Sequence, residues 1–431
     1  MTADLVVRGG TLDGIACDVV VEAGTITAVT PAGAGGRGGR TIEADGLSVL
    51  PGAIDAHVHF DAPGRDEWEG WASGSLAAAA GGVTTVVDMP IDSHPPTVDV
   101  AAVRAKQAAA AAASLVDFAF WGGLVPYNAA SLDALLGSGV VGLKAFLCES
   151  GWPEFPPCEA DELALGMRAA ASAGLPVAVH CEDPTHFGPD GRDRPISSEV
   201  AAVALAGSVA TKEGADLHVV HCSSAEAVTE ARRWPATTVE TCPHYLALND
   251  DDAARIGPDA MCCPPLRDEE NRRRLHALAV SGAIHSVASD HSPCPPEEKE
   301  GSAPFAGVSG VQTSLSILLS LGTLSVTDIV RLRTAAAGLC HLRGKGAVAP
   351  GFDADLALVD LDARWVVGPG TLHTRHRRSP FVGSTLPGVV ATTIVRGTVV
   401  YEAGAAAAGP QGRFVVPGRR AENPRAMEAN R

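Results

Sequence analysis

Lysine is scarce in this chain. Only Lys106, Lys144, Lys212, Lys299 and Lys345 are present, so 28 of the 33 basic residues are arginine, and 50 acidic residues leave a formal net charge of −17. No Lys/Arg-rich run offers a stripe for phosphate backbones, which excludes a nucleic-acid partner. No apolar run approaches the ~20 residues that a membrane-spanning helix needs. Residues 1–10 lack the apolar core and small-residue cleavage site of a secretory leader and read as a charged, alternating strand, so a cytoplasmic location is expected. Cys-x-x-Cys pairs are absent although there are ten cysteines. Several of these, Cys181, Cys222 and Cys242, sit in apolar segments and read as reduced core thiols. A dinucleotide fingerprint is missing as well. The glycine-rich stretch 33–39 superficially resembles a phosphate-binding turn, but no periodic helix follows it, and it reads as a hairpin loop.

What is present is a large, apolar, alternating pattern. The 431 residues are 46% hydrophobic, and a single core stops growing near ~250–300 residues, so one large domain with a smaller one is expected. Residues 1–50 read as short strands separated by glycine turns. From 51 to 345, apolar runs at 84–88, 118–122, 140–146, 177–180, 217–221, 238–241 and 285–289 alternate with helical stretches at 76–80, 98–113, 159–173, 198–213, 225–233 and 271–281. Such alternation indicates parallel strand–helix units, and closure into a (β/α)8 barrel is the economical arrangement, an open doubly wound sheet being the alternative. Strands return at 355–360, 364–367 and 390–401, so residues 346–416 are expected to join residues 1–50 in a small β-sandwich, with 417–431 a frayed tail.

In a barrel, function sits at the C-terminal ends of the strands. Metal-capable residues end one run after another: His57 and His59 after 51–56, His180 after 176–179, His221 after 217–220 and Asp290 after 285–289. Residues i and i+2 of a strand point to the same side, so both imidazoles of His57-x-His59 can face one ion. Each residue alone is ordinarily a satisfied core or rim group; their recurrence points to a metal centre. Lys144 lies in Val140-Val141-Gly142-Leu143-Lys144-Ala145-Phe146. An ordinary strand-end lysine snorkels to solvent. Here the flanks are apolar and the chain otherwise prefers arginine. A buried lysine loses its proton readily, and a neutral amine can take up CO2 to become a carbamate, an anionic ligand able to bridge two metals. The off-register His218, His285 and His291 are expected to hydrogen-bond the ligands.

These motifs resemble a known family. Pro51-Gly52-x-Ile54-Asp55-x-His57-x-His59, Gly142-x-Lys144, Val179-His180-Cys181-Glu182, His221-Cys222-Ser223-Ser224, Glu240-Thr241-Cys242-Pro243-His244-Tyr245 and Ser289-Asp290-His291 are similar to the amidohydrolase superfamily, in its cyclic amidase branch of dihydroorotases, hydantoinases and allantoinases. Asp290-His291-Ser292-Pro293-Cys294-Pro295-Pro296-Glu297, together with Ser379-Pro380-Phe381-Val382-Gly383, most resembles the allantoinases. The resemblance runs nearly end to end. It implies hydrolysis of a cyclic amide, with two divalent ions (Zn²⁺, or Mn²⁺, Co²⁺ or Fe²⁺ as alternatives). His57, His59 and Asp290 hold one, His180 and His221 the other, and carboxylated Lys144 bridges them. It makes Asp290 the catalytic proton carrier, and it implies a dimer or tetramer.

Residues near the expected substrate depart from the branch. Where dihydroorotases place an Arg for their anionic substrate this chain has Asp61, with Ile91 in place of an Asn. Ala62, Asp92 and Cys263 also differ from the usual allantoinase residues, and Glu149 stands where hydantoinases carry a Tyr. Asp61, Asp92 and Glu149 therefore predict an acidic pocket for a neutral or partly cationic ring, with main-chain groups near Cys263 and Gly307 recognising its amide. Hydantoinase or dihydropyrimidinase activity on another neutral ring, and a non-catalytic scaffold, are the competing readings.

Overall fold

The computed structural model describes residues 3–301, 303–406 and 408–418. Eight strand positions build the barrel. Ala53–Val58, Val83–Asp88 and Asp117–Phe120 pair in parallel, and Gly122–Gly123 carries the third on after Trp121. Leu143–Phe146, Val177–His180, Leu217–Val219, Thr237–Thr241 and Ser286–Val287 follow in parallel order. A parallel bridge between Val58 and His291, with the His59 amide donating to the His291 carbonyl at 2.8 Å, closes the ring.

These strands read as unbroken apolar runs because both of their faces are covered. One face meets the helices, among them Val100–Ala113, Ala160–Ala173, Ile196–Glu213 and Glu269–Val280. The other meets a smaller cluster that fills the barrel, with Ile54, Val87, Ala119, Val141, Ala178 and Val220 drawn from successive strands or their ends. The helices start and stop where the sequence provides caps. Asp99 accepts from the Ala102 amide and Asp268 from the Asn271 amide, while Gly174 and Gly214 end their helices in the left-handed region at φ 67°.

Both chain ends join in one β-unit, as the sequence suggests, and its hydrogen bonding is continuous. Nine strands form a single sheet, and Ser48–Pro51 is the seam, antiparallel to Leu356–Val366. Leu5, Val19, Ile26, Leu356 and Ile394 from its two halves share one apolar cluster, so the layers of the sandwich are halves of one sheet.

Three local expectations need correction. The glycine stretch 33–39 is not a hairpin loop: the strands beside it do not pair with each other, because Gly38–Glu43 runs parallel to Ala3–Leu12. The Gly33 and Gly35 amides donate to Asp18 at 2.9 and 2.8 Å, which fixes the crossing. The apolar run 390–401 is two strands, Thr385–Val395 and Thr398–Glu402, folded at Arg396-Gly397 where both residues have positive φ. Residues 412–415 leave the sheet and lie on the barrel, where Phe414 stacks on Phe118 and Phe120. Of the expected tail, Gly418 donates to the His341 carbonyl, and 419–431 lie outside the described residues.

The β-unit is tied to the barrel by a buried ion cluster. Lys345 Nζ lies 2.6, 2.9 and 2.7 Å from carboxylates of Asp117, Asp353 and Asp355. These three acids are close enough to suggest a cation site, and the lysine supplies the cation. All ten cysteines are free, nine of them buried.

Candidate active site

The run-ending residues meet at one end of the barrel. His57 lies within Ala53–Val58 and His59 just beyond it; Lys144 is inside Leu143–Phe146; His180 ends Val177–His180. His221 and Asp290 sit two and three residues past their strands, in left-handed conformations of φ 39° and 46° that turn the chain across the barrel mouth. Asp290 Oδ1 lies 3.3 Å from His57 Nε2 and 3.2 Å from His59 Nε2. His180 Nδ1 lies 2.9 Å from His221 Nε2, and the His57 and His221 rings are 5.3 Å apart.

The electrostatics suit a cation. Burial raises the Asp290 carboxyl, but His57, His59 and His221 outweigh it and hold it well below the usual range. Burial, with Lys144 adding, keeps His180 and His221 well below the ordinary imidazole value, hence neutral and with a lone pair to offer. Burial lowers His59 too, yet Asp92 and Asp290, one at each ring nitrogen, drive it up to about 10. A position that draws a proton so strongly draws a divalent cation by the same field.

Lys144 differs from every other buried lysine of the described chain. Lys106 reaches Asp88 and the Met89 carbonyl, Lys299 reaches three carbonyls, and Lys345 reaches three carboxylates. The Lys144 ammonium is fully buried and has no hydrogen-bond partner; it lies over the face of Phe146, 4.6 Å from the ring centroid. Burial pushes this amine down to about 8, against the pull of Asp290 and Glu240. A buried cation with no partner is costly; a carbamate flanked by metal ions is not. The residues present therefore fit a two-metal centre.

Behind the histidines stands a layer of carboxylates, of which the sequence reading left Glu240 and Glu182 without roles. Glu240 accepts from His57 Nδ1 at 2.9 Å and lies 3.3 Å from His218 Nε2. Glu182 lies 2.9 Å from His180 Nε2 and accepts from Arg194 at 2.6 Å. Asp92 Oδ2 is 2.5 Å from His59 Nδ1, and its other oxygen accepts from the Trp152 indole. A carboxylate next to the end of a barrel strand (Glu240), or two residues after a strand-ending histidine (Glu182), is the signal that marks such partners. The off-register histidines behave differently from expectation. His218 bonds Glu240 rather than a ligand, His285 Nδ1 accepts from the Val239 amide, and His291 Nδ1 accepts from the Gly310 amide.

A cavity of about 330 Å³ opens over the histidines. Asp92, Glu149, Cys263 and Gly307 line it. Asp61 does not: it is buried away from the cavity, and burial and Asp92 raise its carboxyl well above the ordinary value. Arg194 does line the cavity. The predicted acidic pocket is corrected accordingly, because Asp61 is withdrawn, Asp92 is engaged by His59 and Trp152, and a guanidinium faces Glu149's cavity. The objection to an anionic substrate based on Asp61 falls with it. Gly307 is corrected in part. Its amide donates to the Met261 carbonyl at 2.8 Å and its own carbonyl is taken by Lys299, whereas the neighbouring wall residue Ala306 has neither main-chain group partnered among the described residues.

Known proteins resemble this chain over most of its length. The family model described as the Amidohydrolase family matches residues 48–400. A relative named allantoinase from Rubrobacter xylanophilus is 44% identical, with 96% of this chain and 98% of that protein covered. One from Deinococcus radiodurans is 38% identical over 97% of this chain and 99% of its own. Among solved structures, an L-hydantoinase (dihydropyrimidinase) from Arthrobacter aurescens superposes with a TM-score of 0.90 at 30% identity, covering 96% of this chain and all of that one. With the barrel, its terminal β-unit and the histidine-rich mouth already in view, the match over most of the length establishes that this chain belongs to the amidohydrolase family.

Proposed function

We propose that the chain is a two-metal cyclic amide hydrolase that opens allantoin to allantoate. The observation that carries the reading is Lys144, a buried amine without a partner among neutral histidines and an ionised aspartate. The neutral amine would add CO2 and lose a proton, giving a carbamate, an anionic ligand that would help hold the ions. His57, His59 and Asp290 would hold the first ion and His180 and His221 the second. Imidazole and carboxylate donors suit Zn²⁺, with Mn²⁺, Co²⁺ and Fe²⁺ the alternatives that metal analysis separates. When bound, such ions lower the pKa of water from ~15.7 toward ~7 and polarise a carbonyl.

The chain's own residues supply the rest. Asp290 takes a proton at its carboxylate as water adds to the ring carbonyl, and it returns that proton to the departing nitrogen as the C–N bond breaks. Its ionised state in the buried site is what fits it to begin as a base. The Ala306 N–H and C=O and the main chain at Cys263 align the ring amide. Phe146, Phe305 and Ile91 keep water off the reacting face. Asp92 orients His59, and Glu149 stands exposed at the mouth. The choice of allantoin rests on relatives named allantoinase at 35–44% identity over nearly the whole chain.

The test is a substrate panel. The purified chain, loaded with Zn²⁺ or Mn²⁺ in bicarbonate, is assayed on allantoin, hydantoin, dihydrouracil and dihydroorotate. Turnover of allantoin above the others, lost in Lys144→Ala, is the expected result. Preference for hydantoin or dihydrouracil would keep the mechanism and replace the substrate. Absence of bound metal would overturn the reading.

A further inference from the structure

Lys299 lies outside the metal centre, and nothing in the hydrolytic scheme uses it. It is buried, and its ammonium donates to the carbonyls of Pro258, Phe305 and Gly307 at 3.1, 2.9 and 2.6 Å. No carboxylate lies within ion-pair distance of it among the described residues, so three carbonyl dipoles do the work of a counter-ion. Burial lowers its pKa, against Cys294 and Asp259, so the cation is held there at a cost and calls for an explanation.

The explanation lies in which carbonyls it takes. Phe305 and Gly307 flank Ala306, and all three line the substrate cavity. The Phe305 amide donates to Glu298 and the Gly307 amide to Met261, both at 2.8 Å, so both main-chain groups of each flanking residue are occupied by protein. With the main chain of residues 305 and 307 taken up by protein, Ala306 between them keeps an N–H and a C=O without a protein partner among the described residues, in the wall of the cavity. Gly307 is locked further because a Cβ there would lie 2.2 Å from the Ser292 carbonyl oxygen. Lys299 is the group that joins residues 305 and 307 to each other and to the 258–261 segment.

We infer that Lys299 is a positioning residue for substrate recognition: its buried ammonium pins the Phe305 and Gly307 carbonyls so that the Ala306 N–H and C=O face the cavity as a paired donor and acceptor for the ring amide. This rests on the reading of the cavity as a ring-amide site. A cis amide presents one N–H and one C=O side by side, the complement of that pair. Without the pin, the segment must order itself on binding, which weakens binding and leaves the reacting groups around Asp290 untouched.

The experiment compares wild type with Lys299→Met, which keeps the length and removes the charge and donors. The KM for allantoin is expected to rise about tenfold or more while kcat stays within about threefold, the pattern of lost binding that is uniform between ground and transition states. Metal content per chain is expected to equal wild type. Hydrogen exchange at the Gly307 amide is expected to speed up selectively, a readout that needs no substrate. Lys299→Gln, which retains two donors, is expected to fall between the two, and it takes the place of the methionine variant if that one does not fold. An unchanged KM with unchanged Gly307 protection overturns the inference. So does a parallel loss of kcat and bound metal, which marks a general structural role. If wild type opens none of the rings, the functional reading fails on its own, and Gly307 exchange still decides whether Lys299 pins the wall.

Discussion

His57 donates through Nδ1 to Glu240 Oε1 at 2.9 Å, with both side chains sealed from solvent. The bond fixes the tautomer, and the free Nε2 is thereby turned to Asp290, 3.3 Å away. Burial pushes Glu240 upward, but His218 and His57 overcome it and keep it ionised. Glu240→Gln retains the shape and loses the charge, and an amide can accept at only one of its two ends. Metal affinity is expected to fall about 10- to 100-fold, read by titration of the metal-free protein. Unaltered affinity would mean that the tautomer of His57 is set by the metal alone.

The amine of Lys144, held down to about 8 by burial, sets a pH dependence for activation. Only the neutral amine adds CO2, so the neutral fraction, and with it the rate of carbamate formation, grows as pH rises from 7 through about 8 and then levels off. Metal-free protein under a fixed partial pressure of ¹³CO2, so that dissolved CO2 is the same at each pH, should show a carbamate carbon signal by NMR that appears faster at pH 8.5 than at pH 7. Lys144→Arg should show none, and should not bind the second ion.

Much of this was legible in the sequence, and the reasons differ by residue. His57, His59, His180, His221 and Asp290 stood out because each interrupts an apolar strand where a barrel puts its chemistry. Lys144 stood out because a chain so poor in lysine keeps one between valines and a phenylalanine. Asp61 misled, since a strand-end carboxylate next to two histidines reads as pocket-facing, while the residue has a left-handed backbone at φ 62° and is buried outside the cavity wall. The partners of the glycine stretch were illegible because Asp18, which captures it, sits fifteen and more residues away. Ala306 carries no side-chain signal at all; its place in the cavity depends on hydrogen bonds made by Lys299 and Met261 to its neighbours.

Lys345 holds together the three carboxylates of Asp117, Asp353 and Asp355 at the join of barrel and β-unit. Those acids raise its pKa despite burial, so its stabilising effect is complete below about 10.4 and is lost only as pH climbs past that range. Lys345→Met leaves the buried Asp117 and Asp355 and the half-buried Asp353 with Arg396, which reaches Asp117, as the remaining cation among the described residues. Breaking a buried ion cluster by removing one partner costs about 3–5 kcal/mol. The melting temperature is expected to drop by several degrees while kcat/KM, measured well below it, stays near wild type. A drop in activity at equal stability would show that the join reaches the active site.

Glu69 shows the same direction of pH dependence, in a lower pH window. It is fully buried, and burial pushes its carboxyl up to about 8, although the Arg375 amide donates to both of its oxygens at 3.2 Å. In the unfolded chain the same group ionises near 4.3. Between these values the folded state holds a proton that the unfolded state has released. The stability due to Glu69 is therefore complete below about 4.3 and is lost as pH rises to about 8. Glu69→Gln imitates the protonated acid at every pH. The difference in urea midpoint between variant and wild type should widen in the variant's favour from pH 5 to pH 8. A difference that stays constant over that range would place the Glu69 carboxylate, ionised, in the folded protein at neutral pH. In that case the partners at Arg375 would be strong enough to offset its burial, and the Trp68-Glu69-Gly70 turn under Phe305 would be held by charge rather than by a neutral acid.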